Sequence, residues 1–176
     1  MSPTTPHLAT RTVAMPVEFL AALEQAARDT GDPQAVDRLR DAGYHAGQVL
    51  FDTFASWTAD RGDLAPESLP QDRFSALASE FFAELGWGAL TFSPVSEAVM
   101  ALDADAPGAG SGGGLVATGM FAGFFGRLAE APIAILEVDG APGGRSRFLL
   151  GSIDVLGYVH EAMDRGIPYE RASASA

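Results

Sequence analysis

Apolar residues recur at helical spacing along much of the chain and give way to a few short runs of strand character. Val17, Leu20, Leu23 and Ala27 make a modest amphipathic stripe that ends at Thr30-Gly31. Asp32-Pro33 then restarts the chain as a helix cap and first turn. The next helix is long, about 34–59, with Val36, Leu39, Gly43, Ala46, Leu50, Thr53 and Trp57 at 3-4 spacing. Tyr44, Phe51 and Ala55 mark a second, nearly opposite stripe on it. A helix apolar on two sides needs cover on two sides, from its own core and from something else. The pattern therefore predicts a homodimer formed through helix 34–59.

After an Asp/Pro/Gly-rich loop (RGDLAPESLPQD), Phe74, Leu77, Ala78, Phe81, Phe82 and Leu85 form another helical stripe that Gly86 stops. Two short β-type segments follow, ALTFSP and EAVMALD, and then the loop DADAPGAGSGGG. The rest reads as a Gly-spaced aromatic helix (TGMFAGFFGRLAEA), a strand (PIAILEV), a Gly turn (DGAPGG), a strand (RSRFLLG) and a capped helix (SIDVLGYVHEAMDRG). In the aromatic helix Met120, Phe121, Phe124, Phe125 and Leu128 share one face, with Gly119, Gly123 and Gly126 on another. Glycines inside a helix destabilise it by roughly 1 kcal/mol each relative to alanine. Close approach of a neighbouring element is the expected compensation, and Gly43 and Gly47 repeat the device.

The order of elements predicts an α+β fold, a small antiparallel sheet packed with several helices. At 176 residues and 47% hydrophobic, the chain suffices for one domain with a real core. We expect a flexible arm over residues 1–15, a single domain over 16–171 and a flexible tail over 172–176. No apolar run approaches the roughly 18 residues that span a bilayer, and the Thr/Pro-rich start lacks a secretion signal's apolar core, so the expected location is cytoplasmic. Cysteine is absent, which excludes disulfides and thiolate chemistry. Lysine is absent too, all eleven basic residues being arginine, which excludes Schiff-base chemistry and a P-loop. A net charge of −12 argues against nucleic acid and anionic membrane surfaces.

Candidate chemistry is sparse. Gly108 to Gly113 matches G-x-G-x-x-G in form, but it is not set directly between a strand and its helix, so it reads as a loop. Ser111 sits in AGSGG rather than G-x-S-x-G and is no nucleophile candidate. His7, His45 and His160 are scattered, without an evident orienting acid or metal partner. Glu137 and Asp139 share one face of a strand, Arg145 and Arg147 repeat the spacing on the next, and cross-strand ion pairs are expected. Asp103 and Asp105 read as part of an acidic loop rather than as cation ligands. No catalytic set, cofactor or metal site is expected, and the chain reads more as a binding module than as an enzyme. Phe51, Phe54, Trp57, Phe81, Trp87, Phe121, Phe124 and Phe125 are numerous for so small a domain. They are core candidates, and some are candidate walls of a cavity for an apolar ligand.

Several segments in sequence carry a family likeness. LRDAGYHAGQVL resembles the first-helix signature of the 4-vinyl reductase domain family, in which Ala-Gly-x-x-x-Gly opens a long helix. FSALASEFFAELGWGALTF, GLVATGMFAGFFGRLAEAPIAILEVDG and RFLLGSIDVLGYVHEAMDRGIPYERA are similar to its later elements, in order, over about residues 34–171. That family is structurally akin to TRAPP vesicle-tethering subunits and, more distantly, to haem-based nitric-oxide sensors. The resemblance implies a TRAPP-like α+β fold, dimerisation through helices and, in several members, a buried site for hydrophobic molecules. Family cysteines near the last hairpin are missing, with Gly140 near one slot and Ser146 in the other, so no family-type zinc site is expected. The resulting expectation is a bacterial, non-catalytic, homodimeric binding or sensory module for a lipid- or tetrapyrrole-type molecule. A tetrapyrrole-biosynthesis enzyme or assembly factor, and a ligand-free protein scaffold, are the alternatives.

Overall fold

Asp32 starts the central helix in the way its sequence suggests, its Oδ1 accepting from Gln34 N at 3.0 Å with Pro33 in the first turn. The computed structural model describes residues 17–105, 114–139, 141, 143 and 145–176. Helix α1 (Val17–Asp29) is followed by α2 (Pro33–Asp60), a 3₁₀ turn at Pro66–Ser68 and α3 (Gln71–Glu84). Strands β1 (Thr91–Pro94) and β2 (Met100–Ala104) lead to α4 (Leu115–Ala129), then β3 (Ala134–Val138) and β4 (Ser146–Gly151). Helices α5 (Ile153–Asp164) and α6 (Tyr169–Ser173) complete the described chain. This is an α+β fold: a four-stranded antiparallel sheet, order β1-β2-β4-β3, with helices on both faces. The arm at 1–15 and the Gly-rich stretch 108–113, with Ser111 and His7, lie outside the described residues.

Alternation along the strands builds two cores. Met100, Leu102, Phe148, Leu150 and Ile135 turn to the side of α2, α3 and α4. Ala101, Leu149, Leu136 and Val138 turn to α5 and α6. The register confirms these partitions, with Leu102 opposite Phe148 and Ala101 opposite Leu149. α6 extends into the segment read as a tail, and its Ala172 and Ser173 are buried. At five residues it is too short to leave a periodic signature.

The crossing of α2 on α4 organises the larger core. A Cβ on Gly43 would stand 2.5 Å from Val116 O, and one on Gly47 would overlap the Met120 carbonyl. Reciprocally, Cβ atoms on Gly119 and Gly123 would overlap the carbonyls of Arg40 and Tyr44. The two backbones thus touch, and no side chain larger than hydrogen fits between them. Gly126 does not belong to this contact: a Cβ there would meet Ala131 O at 3.4 Å, an ordinary approach.

Two helical stripes differ from expectation. On α2 the buried line is Gly43, Gly47, Phe51, Phe54, Trp57 and Thr58. It draws members from both predicted stripes, because the glycines set which face meets α4. Tyr44 and Val49 stand exposed. On α1, Leu23 is exposed and its neighbour Glu24 is buried, with Leu20 and Ala27 half-buried. Here a polar contact decides the face in place of the apolar periodicity.

Gly47→Ala or Gly123→Ala is expected to destabilise by about 3 kcal/mol or more, since overpacking against rigid backbone exceeds the usual 1–3 kcal/mol of core insertions. Gly157, on α5 with none of the described residues within 4 Å of its Cβ position, is the internal control. Gly157→Ala should stabilise by up to about 1 kcal/mol, the helix-propensity difference. Urea unfolding of the variants measures both.

Candidate functional site

Helix α4 begins without a cap of its own, since Gly114 occupies the N-cap and offers no side-chain oxygen. Its orphan N–H groups are satisfied from two distant elements. Gly114 N donates to Glu137 Oε2 of β3 at 3.0 Å, and Val116 N donates to Glu24 Oε1 of α1 at 3.0 Å. Carboxylates suit this place because the start of a helix carries partial positive charge. Glu24 is only 5% exposed, although carboxylates are almost never buried unpaired.

Between these elements lies a groove of about 540 Å³. α4 contributes Leu115, Thr118, Gly119 and Ala122, and the edge strand β3 contributes Ala134 to Glu137. Arg40, Asp41 and Tyr44 of α2 and Arg28 of α1 complete the wall. The groove exists because α2 and α4 touch through glycine, so their flanking residues splay around a shallow trough that β3 closes on one side. Its surface combines an apolar strip (Leu115, Ala122, Ile135, Leu136) with charges of both signs.

Glu137 is the electrostatically stressed member. Burial holds its carboxyl above the ordinary range, opposed by the hydrogen bond from Gly114. The negative charges of Glu24 and Asp139 push the same way as burial, and Arg28 pushes back. A carboxyl with this kind of perturbation in a concave site is a functional candidate on physical grounds.

The eight aromatic residues read as core or cavity wall are brought together, but away from this groove. Phe54, Phe81, Phe121 and Phe124 have zero exposure, Phe51, Trp57 and Phe125 are buried, and Trp87 packs against them half-buried. Ring centroids stand 5.2 Å apart for Phe54–Phe81 and 5.1 Å for Phe82–Phe124, mostly edge to face. None of the eight lines the groove.

The expected hairpin ion pairs do not form. Val138, not Glu137, stands opposite Arg147, so Glu137 and Arg147 point to opposite faces of the sheet. Arg147 instead makes two bonds of 2.7 Å to Asp103 of β2 and donates to the Tyr169 hydroxyl of α6 at 2.9 Å. This company holds its guanidinium more firmly protonated than a free one. Arg145 bonds Asp105 at 3.0 Å, Thr91 Oγ1 at 3.1 Å and the Ala89 and Asp103 carbonyls. Asp103 and Asp105 are therefore arginine partners that tie β4 to β2 and the segment leading to β1.

His45 lies exposed beside Tyr44, rings 6.0 Å apart, and His160 lies exposed 4.0 Å from Asp164. Among the described residues no group of three His, Cys, Asp or Glu is placed to hold a metal ion. Nothing local in the sequence marks Glu24, Arg28, Arg40 or Asp41 as residues of a site. The available signal was indirect: a helix opening on glycine, after a Gly-rich stretch, needs acceptors from elsewhere.

No family model and no curated protein matches the sequence. Solved structures do. One is the phenol-responsive sensory domain of the transcription activator PoxR, crystallised with phenol: TM-score 0.59 at 14% identity, covering 82% of this chain and 78% of that one. The chain shares its fold with a sensory domain. A structure from work on modulating haem redox potential through protein-induced porphyrin distortion matches at TM-score 0.43 and 14% identity, covering 80% and 77%. No helix among the described residues is long and apolar enough to cross a membrane.

The raised Glu137 carboxyl sets a pH dependence. A raised folded-state value means that ionisation is disfavoured in the fold, so this group's contribution is full below the unfolded carboxylate range and is lost as pH rises through the folded value. Glu137→Gln keeps an acceptor for Gly114 and removes the charge. Its stability relative to wild type should rise towards neutral pH and converge below about pH 4, where carboxyls protonate in both states. Denaturant melts across that range would show it; a constant offset at every pH would contradict it.

Proposed function

We propose that the protein is a small-molecule-binding or sensory module whose ligand occupies the groove between α4, β3, α2 and α1. One observation carries this reading. A trough of about 540 Å³ combines an apolar strip with a half-buried, charge-stressed carboxyl, which matches the size and mixed chemistry of ligand sites. The fold likeness to a phenol-responsive sensory domain supports the class of function. The resemblance to the 4-vinyl reductase domain family, carried by the Gly43/Gly47 helix, points the same way and suggests an apolar ligand. The mixed lining favours an amphipathic molecule over a purely hydrocarbon one.

Phenol, palmitate and protoporphyrin are suitable probes, one for each ligand class considered. At least one should raise the melting temperature in a concentration-dependent way, by the linkage of binding to folding. Ala122→Trp, which fills the apolar strip, should abolish that shift, while Phe51→Leu in the aromatic core should leave it. A shift lost with Phe51→Leu and kept with Ala122→Trp would move the site into the aromatic cluster. No shift with any probe would favour the scaffold reading.

The same reading includes a homodimer through α2. One side of α2 is occupied by α4, while Val49 stands 48% exposed, an unusual position for a large apolar residue on a central helix. Sedimentation at micromolar concentration should give a dimer, and Val49→Arg should shift it towards monomer by placing an unpaired charge in a desolvated contact. A monomeric wild type removes this element of the proposal.

A further inference from the structure

Helix α1 is attached to the domain in an unusual way. Among its described side chains the single buried one is a carboxylate, Glu24, while Phe19 is 53% and Leu23 42% exposed. Leu20 and Ala27 are only half-buried. Most surface helices bury an apolar stripe and leave charge outside; α1 approaches the reverse. Its buried polar anchor is the bond from Val116 N to Glu24 Oε1, at the uncapped start of α4.

That anchor is finely balanced. The bond satisfies an otherwise orphaned helix N–H and is charge-assisted, which favours docking. Burying the carboxylate removes its hydration, which opposes docking. Docking also brings Glu24 near the Glu137 carboxyl, with Arg28 compensating. Undocking would return Glu24 to water, which offsets part of what the bond contributes and makes opening of α1 less costly than opening of the packed core.

The connection to α2 is built as a hinge. Thr30 Oγ1 donates to Ala27 O at 2.7 Å and so closes the end of α1. Asp32 caps α2 through Gln34 N, while its own N–H donates to Thr30 Oγ1 at 3.1 Å across Gly31. Between them Gly31 sits at φ +65° with none of the described residues within 4 Å of its Cβ position. Rotation at Gly31 breaks the single bond from Asp32 N to Thr30 Oγ1 and leaves the Asp32 side-chain cap of α2 intact. Hinges of this type confine a large φ/ψ change to one or two residues.

From these observations we infer that α1 is a hinged clasp, docked reversibly on the start of α4 by Glu24, which leaves without unfolding the rest of the domain. Because Arg28 of α1 lines the groove, undocking removes one wall and the clasp controls access to it. The inference concerns α1 alone and holds whether or not the groove takes a ligand.

Hydrogen–deuterium exchange of the full chain, followed peptide by peptide, tests it. Peptides from 17–29 should exchange at least about tenfold faster than those from 33–60 and 115–129, as for a unit that opens sub-globally. Glu24→Ala should accelerate 17–29 by a further factor of about ten, on the scale of a hydrogen bond to a charged group, without accelerating 33–60. Glu24→Gln, which retains an acceptor, should fall between. Leu23→Ala, at an exposed position, should leave α1 exchange unchanged. If α1 exchanges in step with α2, if Glu24→Ala leaves α1 unchanged, or if it accelerates α2 equally, the clasp is refuted.

Discussion

Backbone contact between α2 and α4 is the constraint on which the rest of the structure depends. The Gly43 and Gly47 Cβ directions point at the carbonyls of Val116 and Met120, and those of Gly119 and Gly123 at the carbonyls of Arg40 and Tyr44. A glycine hydrogen occupies the direction a Cβ would take, so each contact is a Cα–H facing a carbonyl oxygen. Such contacts contribute about 0.5–1 kcal/mol each, against roughly 1 kcal/mol of lost propensity per glycine. The four glycines therefore approach balance before dispersion between the two backbones is added. Any larger residue loses the contact and adds a clash.

From this crossing follow both the core and the groove. Helices held at backbone distance direct their long side chains outward from the line of contact. On one side Phe51, Phe54, Phe121, Phe124 and Phe125 meet the rings of α3 and the inner face of the sheet. On the other side Arg40, Asp41, Tyr44, Thr118 and Ala122 flank a trough that β3 borders. The aromatic packing and the open site are thus two sides of one geometric decision. Substitutions at the glycines should disturb them together, whereas substitutions in the groove need not touch the core.

Much of the fold was legible because its signals are local. The Asp32-Pro33 cap, the stop at Gly86, the apolar runs of β3 and β4 and the Ser152 cap of α5 all act within a few residues. The paired glycines also announced a close approach, correctly for four of the five positions considered. What was not legible depends on partners distant in the chain. Arg147 pairs with Asp103, forty-four residues away, because β4 lies between β2 and β3 and the register turns Glu137 to the other face. The groove is less legible still: Glu24 reaches Val116 over ninety-two residues, and no periodicity marks a glutamate for burial.

The placement of the two carboxylates explains why the start of α4 is a more informative region than the aromatic core. A Ser, Thr, Asp or Asn at position 114 would satisfy the first N–H groups locally and contribute about 1 kcal/mol. With glycine there, the acceptors come instead from α1 and β3, and each carries a desolvated negative charge. A local cap would make α4 indifferent to its neighbours. The distributed cap makes its first turn depend on whether α1 is docked and on the charge of Glu137, both of which border the groove. The first turn of α4 is thereby tied to two other elements, α1 and β3, beside the groove. A group that contacts Glu137 would act on the Gly114 bond at the start of α4, two residues from the Val116 bond that holds α1, so the two contacts meet in one helical turn and not in the packed core.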